Sequence, residues 1–445
     1  MLAYYQIWSK TMAPLIEPRV LKGFRDFLPA AEIERRQLTE VIERSFRSFG
    51  FVPIDTPALE YTEILLGKGG GETEKQVYRF KDHGDRDVAL RFDLTVPFAR
   101  FMAEHRAELP LPFKRYHIAK VWRGENTQRG RYREFTQCDF DIVGSESAGS
   151  DFEILLMMRE TLRAIGVGDV TIRMNHRGVF NRFLRSLGIE DKSVEILRTV
   201  DKLTKIGKES TLSQLSELVG AEKAEAVLNY IQPKANYKET LAAITEAAGG
   251  PGPDTERLET LYQFMQDAGV ADIFVLDPSI TRGLDYYTGV VYETFLNDLP
   301  DIGSVCSGGR YDNLAALYSK EQLPGVGASI GLDRLIAALE ALGRTEKRSS
   351  YAQVAIACIN EQLGGKYQAL AGQLRRAGVA CEVFTEAKKL VQQYALAEKK
   401  GARWVIVCPE DAFSTEPLRL TLRELATRTD TEGLSVEEII AKVTG

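Results

Sequence analysis

Residues 121–144 read VWRGENTQRGRYREFTQCDFDIVG. Both ends of this stretch alternate with period two, and the polar run 126–131 between them has the composition of a long hairpin loop. In a strand, side chains two apart share a face, so Arg123 and Glu125 fall together on the first strand and Gln137, Asp139 and Asp141 on the second. Trp122, Phe135 and Phe140 are available for hydrophobic contacts. A strand face carrying so many polar groups is either a solvated outer face or a ligand site, and the stretch taken alone leaves both open.

The same pattern extends backwards to residue 88 through VALRF and RYHIAKVWRGE, which predicts several antiparallel strands. Upstream, 31–49 carries Ile33, Leu38, Val41, Ile42 and Phe46 at helical spacing and stops at Gly50, the pattern of one amphipathic helix. Residues 52–57 between them are held extended by Pro53 and Pro57. Downstream, a helix is predicted over 151–165 and a strand over 170–174. Residues 194–264 are Leu-rich and helical, interrupted by GGPGP at 249–253, after which ADIFVLD and VVYETF resume the first sheet. The charged, small-residue stretch 343–350 (GRTEKRSS) reads as a linker. Beyond it, VAIACI, a helix over 367–377, ACEVF, a helix over 390–400 and ARWVIVC alternate as in a parallel or mixed α/β domain.

At roughly 100 to 200 residues per domain, 445 residues make two or three domains, each large enough to bury a core. The net charge of −6 argues against a chain wrapped nonspecifically in nucleic acid and leaves room for a local basic groove. No apolar run approaches the roughly 18 residues of a membrane span. Residues 1–15 lack the pattern of a secretion signal, so the cytosol is expected. Five cysteines without CxxC spacing argue against a disulfide frame or a structural zinc, and His83, His105, His117 and His176 show no compact ligand pattern. Each histidine reads as an ordinary polar residue.

Two glycine-rich stretches and one further cluster invite a ligand reading. GKGGG at 67–71 lacks the P-loop spacing and reads as a mobile surface loop; GVGASIG at 325–331 is not the GxGxxG dinucleotide pattern. The second runs into an apolar-periodic helix bearing Arg334. A glycine-rich strand lets a flat ring approach its backbone, with Arg334 within reach of a phosphate. TRGLDYYTG at 281–289 and SVCSGGRYD at 304–312 gather Arg282, Arg310, Tyr286, Tyr287 and Tyr311. Arginine offers a planar fork for phosphate oxygens and tyrosine a ring wall with a hydroxyl, although a turn with an edge strand explains the same residues.

In chain order, the RGE of Arg123–Glu125, the hairpin ending GRYREFTQCDFDIVG, the RGLDYYTG and SGGRYD boxes and the closing GVGASIGLDRL resemble class II histidyl-tRNA synthetases. The likeness runs from RVLKGFRDFLP at 19–29 to about residue 335, and more weakly through the last hundred residues. GFVPIDTPALE at 50–60 is similar to the class II motif that builds the dimer interface, and LRFDLTVPFAR at 90–100 resembles the version of one large branch.

The resemblance implies an α+β fold: the class II antiparallel sheet flanked by helices, with a helical insertion and a C-terminal α/β anticodon-binding domain. The corresponding division is an extension over 1–15, a catalytic domain over 16–190 and 266–342, the insertion over 191–265, a linker over 343–350 and the anticodon-binding domain over 351–445. It also implies a homodimer acting on histidine, ATP with Mg2+ and tRNA(His). In that pattern Arg123 and Arg282 take the α-phosphate, and Glu125, Arg131 and Arg334 complete the ATP pocket. Asp141 and Tyr287 read the imidazole, Asp93, Thr95 and Gln137 the α-amino group, and Arg282 the carboxylate. Tyr286 and Tyr311 complete the histidine pocket, and Gln128 and Arg129 reach the tRNA acceptor end. No protein ligand to the metal is implied. Other readings are a noncatalytic relative, such as a regulatory subunit of ATP phosphoribosyltransferase or a synthetase-like sensor, and a class II synthetase for another amino acid.

Overall fold

The alternating segments become strands in the computed structural model, which describes residues 16–67, 73–280, 287–345, 348–414 and 417–444. In chain order these are β1 (Val52–Pro53), β2 (Leu59–Tyr61), β3 (Arg79–Lys81), β4 (Asp87–Leu90), β5 (Phe113–Trp122), β6 (Glu134–Val143), β7 (Val170–His176) and β8 (Phe274–Leu276). They continue as β9 (Val290–Leu296), β10 (Cys306–Tyr311), β11 (Gly325–Gly331), β12 (Val354–Ile356), β13 (Cys381–Val383), β14 (Trp404–Val407), β15 (Leu420–Glu424) and β16 (Thr429–Leu434). The chain divides into two units. One comprises Phe46–Leu162 and Val167–Ala338 with the segment ending at Asp26, the other Phe27–Ser45, Arg163–Gly166 and Leu339–Gly445.

The first unit is built on an eight-stranded sheet of order β1-β5-β6-β11-β10-β9-β7-β8. Its edge pairs β1–β5 and β7–β8 are parallel and its inner pairs antiparallel. Alternation along β6 explains why the sheet is polar on one side. Cys138, Phe140 and Ile142 point to the core face and are fully buried, with the Phe46 ring 4.7 Å from that of Phe140. Burying such side chains contributes about 1.5–3 kcal/mol each. Gln137, Asp139 and Asp141 therefore share the opposite face, and the hydrophobic side of the strand secures their position.

Two segments predicted as strand differ. VALRF contributes β4 to a separate three-stranded sheet, β2-β4-β3, and the chain then turns into the helix Thr95–Glu104. Asp93 Oδ1 accepts the Val96 N–H at 3.1 Å, and Pro97 sits in the first turn, where its missing N–H costs nothing. Arg123 and Glu125 lie past the end of β5. Gly124 donates its N–H to the Gln76 carbonyl at 2.7 Å, and a Cβ at Gly124 would lie 3.2 Å from that oxygen. This close approach draws the chain out of the ladder.

The helix expected over 31–49 spans Pro29–Ser48, and Gly50 follows with φ +79°. Between the parallel neighbours β7 and β8 run Arg177–Ser186, Ser193–Val200, Leu203–Val219, Ala221–Tyr230, Tyr237–Ala247 and Pro253–Asp267, as the Leu-rich stretch predicts. Leu203–Val219 is broken at Gly207 (φ 79°), and Pro253 opens its helix at a position where proline is tolerated. In the second unit β13, β12 and β14 are parallel, and β15 and β16 extend the sheet antiparallel. Gly364–Arg376 and Leu390–Lys399 cover this mixed sheet with a core that includes Ile356, Tyr367, Leu370 and Ile406. Among the described residues no helix is long and apolar enough to cross a membrane.

Candidate active site

The polar face of β6 and the glycine strand β11 floor a cleft of about 260 Å³. The register pairs Gln137 with Gly331, Asp139 with Ser329 and Asp141 with Gly327. Gly327 is required where it stands, because a Cβ there would lie 2.0 Å from Asp141 Oδ1. Gly308 on β10 is equally constrained, its Cβ falling 2.1 Å from the Gly327 carbonyl oxygen. The floor is thus bare backbone, closely packed, onto which a planar ring can lie.

Side chains of opposite character line this floor. Around the Gln137–Gly331 end stand Arg123, Arg131 and Arg334. Arg123 Nε donates to the Phe92 carbonyl at 2.8 Å with its guanidinium carbon 5.2 Å from the Phe135 ring centroid, so the fork is held by backbone and aromatic face. Arg131 pairs with Glu125. Arg334 Nη1 donates to the Ser304 carbonyl at 2.6 Å. Its neighbour Asp333 is buried, accepts the Thr136 N–H at 2.7 Å and pairs with Arg25, which fixes the helix start against β6. Such guanidinium groups suit phosphate oxygens.

From Gln137 to Asp141 the strand advances about 13 Å at roughly 3.3 Å per residue. The far end of the cleft is acidic. Tyr311 donates to Asp141 Oδ1 at 2.5 Å, and the fully buried Arg115 lies 2.7 Å from Asp141 Oδ2. Burial raises the Asp141 carboxyl, against the opposing pull of Arg115 and Tyr311. Asp93 is pushed up to about 6 by burial, and its Oδ2 is buried with no hydrogen-bond partner. Thr95 and Tyr287 line the same end, and Gln137 Nε2 donates to Ser329 Oγ at 3.1 Å. A carboxylate and a phenol together can read both ring nitrogens of a small heterocycle, and the neighbouring acids suit an ammonium group.

Asp93, Thr95, Arg123, Glu125, Arg131, Gln137, Asp141, Tyr287, Tyr311 and Arg334 are therefore brought to one cleft. Gln128 and Arg129 are exposed at the hairpin tip, where Gln128 and Arg131 exchange backbone hydrogen bonds at 3.0 and 2.9 Å. Arg282 and Tyr286 lie outside the described residues, as do residues 68–71 of the GKGGG stretch. Arg310 is committed elsewhere: its guanidinium is 2.6 Å from the fully buried Asp151 and 3.3 Å from Asp312.

Residues 23–335 match the family described as histidyl-tRNA synthetase, and residues 353–445 match an anticodon binding domain. The chain belongs to the histidyl-tRNA synthetase family. Within that family it is 52% identical over 444 residues to a histidine–tRNA ligase of Treponema denticola, with 97% of this chain and 99% of the relative covered. It is 51% identical over 422 residues to that of Treponema pallidum, covering 94% and 95%. The crystal structure of histidyl-tRNA synthetase from Nostoc sp. PCC 7120 superposes with a TM-score of 0.86 at 31% identity, covering 97% of this chain and 99% of that one. An ATP phosphoribosyltransferase regulatory subunit/histidyl-tRNA synthetase from Bacillus halodurans, at 22% identity and a TM-score of 0.71, shares the fold; 89% of this chain and 99% of that one are covered.

Asp333, which lines this cleft, and Arg115 and His117, which stand opposite its lining carboxylates on β5, escape a reading of the sequence. Arg115 and His117 sit in an alternating strand and look like ordinary polar residues, and Asp333 looks like the first turn of a surface helix. Their partners lie far away in the chain, so only the register of β5 on β6 and the packing of the Leu332–Ala341 helix reveal them.

Proposed function

We propose that the chain is a histidine–tRNA ligase, which joins histidine to ATP as histidyl-adenylate with release of pyrophosphate and then passes the histidyl group to the 3′ end of tRNA(His). The single observation that carries this reading is the make-up of the cleft: the guanidinium groups of Arg123, Arg131 and Arg334 line it together with the phenol-backed carboxylate of Asp141. The attacking carboxylate and the α-phosphate are both anionic, so the barrier falls chiefly through cations aimed at the phosphoryl oxygens and through in-line positioning.

In this reading Arg123 and Arg282 hold the α-phosphate, and Arg334 the γ-phosphate. Glu125 and Arg131 border the nucleotide. Asp141 and Tyr287 take the ring, with Tyr311 holding Asp141 in place and Tyr286 contributing to histidine binding; Asp93, Thr95 and Gln137 take the α-amino group. The histidine carboxylate oxygen bonds to the α-phosphorus as the bond to the pyrophosphate oxygen breaks. Mg2+ would arrive on the ATP phosphates and would neutralise part of their charge there. Gln128 and Arg129 meet the acceptor end of the tRNA, and the domain over 351–445 meets its anticodon. Residues 191–265 form an insertion within the catalytic domain over 16–190 and 266–342. A cytoplasmic homodimer completes the reading, its interface including residues 50–60.

The experiment is ATP–pyrophosphate exchange with each amino acid in turn. Exchange driven by histidine alone supports the proposal, and exchange with another amino acid or with none overturns it. Arg282→Ala should lose most adenylate formation with the fold intact.

A further inference from the structure

The strand pair β9–β10 ends in a polar cluster that the functional reading leaves unused. Its ladder runs from Cys306 opposite Thr294 to Gly309 opposite Val291, and the same register carried three residues further sets Asp312 opposite Thr288. There side chains take over from the ladder. Thr288 Oγ1 donates to Asp312 Oδ2 at 2.6 Å and accepts the Asp312 N–H at 3.2 Å, while the Thr288 N–H donates to the Arg310 carbonyl at 2.8 Å. One hydroxyl thus serves as donor and acceptor to the same residue.

Alternation decides on which side of the sheet this pair lies. Tyr311 faces the cleft, where it bonds to Asp141, so Arg310 points to the opposite side. There Arg310 is anchored, its Nε donating to Asp151 Oδ1 at 2.8 Å and its Nη1 to the Ser145 carbonyl at 3.0 Å. Asp151 is fully buried and also takes Arg257 at 3.1 Å. Arg310 Nη1 lies 3.3 Å from Asp312, which puts the Thr288 pair on this same anchored side. Neither Thr288 nor Asp312 lines the cleft.

The residue before Thr288 does line it. The Tyr287 ring packs with Ala99 and Tyr311 and rests on the bare backbone of Gly309, where a Cβ would fall 2.9 Å from Tyr287 Cδ1. Contact with a glycine surface resists closer approach but not sliding. Two directional hydrogen bonds at the adjacent residue fix the chain against that sliding.

We infer that the Thr288–Asp312 pair is a positioning device for Tyr287: braced by Arg310 and Asp151, it sets how far the phenol reaches into the cleft and so how tightly the amino-acid ring is held. Thr288 and Asp312 act through Tyr287 and touch no substrate themselves. This rests on the histidine-activating reading above, in which Tyr287 takes the imidazole.

The test is a double-mutant cycle in the full-length enzyme, read by histidine-dependent pyrophosphate exchange. Thr288→Val keeps the branched shape and removes both side-chain hydrogen bonds. It should raise KM for histidine about tenfold and leave KM for ATP within about twofold of the wild type. Thr288→Ser retains the hydroxyl and should stay within about threefold of the wild type for both. Tyr287→Phe removes the phenol hydroxyl, and in that background Thr288→Val should add less than about twofold, because an effect exerted through the hydroxyl has nothing left to act on. Full additivity of the two substitutions, an equal rise in both KM values, or no rescue by serine overturns the inference, as does a Tyr287→Phe enzyme with an unchanged KM for histidine. If Thr288→Val does not fold, Asp312→Ala, at a side chain 38% exposed, strips the acceptor from the same hydroxyl and takes its place in the cycle. Exchange by the wild type separates the failures. Absent exchange with histidine removes the functional reading and this inference with it, whereas normal exchange with an additive cycle removes the positioning role alone.

Discussion

Arg115 and Asp141 face each other across the β5–β6 pair with 2.7 Å between Nη2 and Oδ2, and neither side chain is more than 4% exposed. The guanidinium also lies over the Phe98 ring, 4.0 Å from its centroid. An ion pair so deeply buried stabilises little against an apolar substitute, but breaking it leaves a charge with no compensation. Arg115→Ala is therefore expected to cost about 3–5 kcal/mol of folding stability. Denaturant unfolding checks this, and a change under 1 kcal/mol would show that Asp141 finds another partner.

Tyr311→Phe removes the donor to Asp141 Oδ1 and keeps the ring. A hydrogen bond to a charged acceptor contributes about 1.5–3 kcal/mol, so KM for histidine should rise roughly 10- to 100-fold with kcat little changed. Exchange kinetics at varied histidine provide the measurement. An equal fall in kcat with constant KM would instead place Tyr311 at the transition state.

The outline of this cleft was legible because period two governs both faces of β6 at once. Phe140 and Ile142 commit one face to the core, which leaves Gln137, Asp139 and Asp141 no other direction. Arg123 and Glu125 were placed by the same rule and fall past the strand, since the approach of Gly124 to Gln76 is a long-range contact that no local pattern encodes. Arg115 and His117 were invisible for a related reason. Nothing in RYHIAKV distinguishes a buried cation from an exposed one until the register sets Arg115 against Asp141 and His117 against Asp139. The helical stretch was easier: its leucines repeat locally, and only the break at Gly207 lies outside the pattern.

Asp333 ties together Arg25 and Thr136, positions far apart in the chain, one step before Arg334. Asp333→Ala leaves the Thr136 N–H without its acceptor and releases the start of the helix. A loss of about 1–3 kcal/mol is expected, together with a rise in KM for ATP that exceeds any rise for histidine. If the two KM values rise in equal measure, the effect is general loosening of the cleft and Asp333 does not position Arg334.

Stability should also depend on pH through the acidic end of the cleft. Burial raises Asp93 to about 6 and Asp139 to about 7, from an ordinary value of 3.8. A carboxyl whose folded value is raised binds its proton more tightly in the fold than in the unfolded chain. Its contribution is therefore complete below about pH 4 and is lost as the pH rises through 6 and 7. Asp139→Asn holds this position neutral at every pH. It should come nearest to the wild type at about pH 4 and below, and become the more stable protein by pH 8, the gap reaching on the order of a few kcal/mol. Urea unfolding of the ligand-free proteins across that range gives the comparison. A gap that does not change with pH would mean that Asp139 is ionised throughout, its charge already balanced by Arg115.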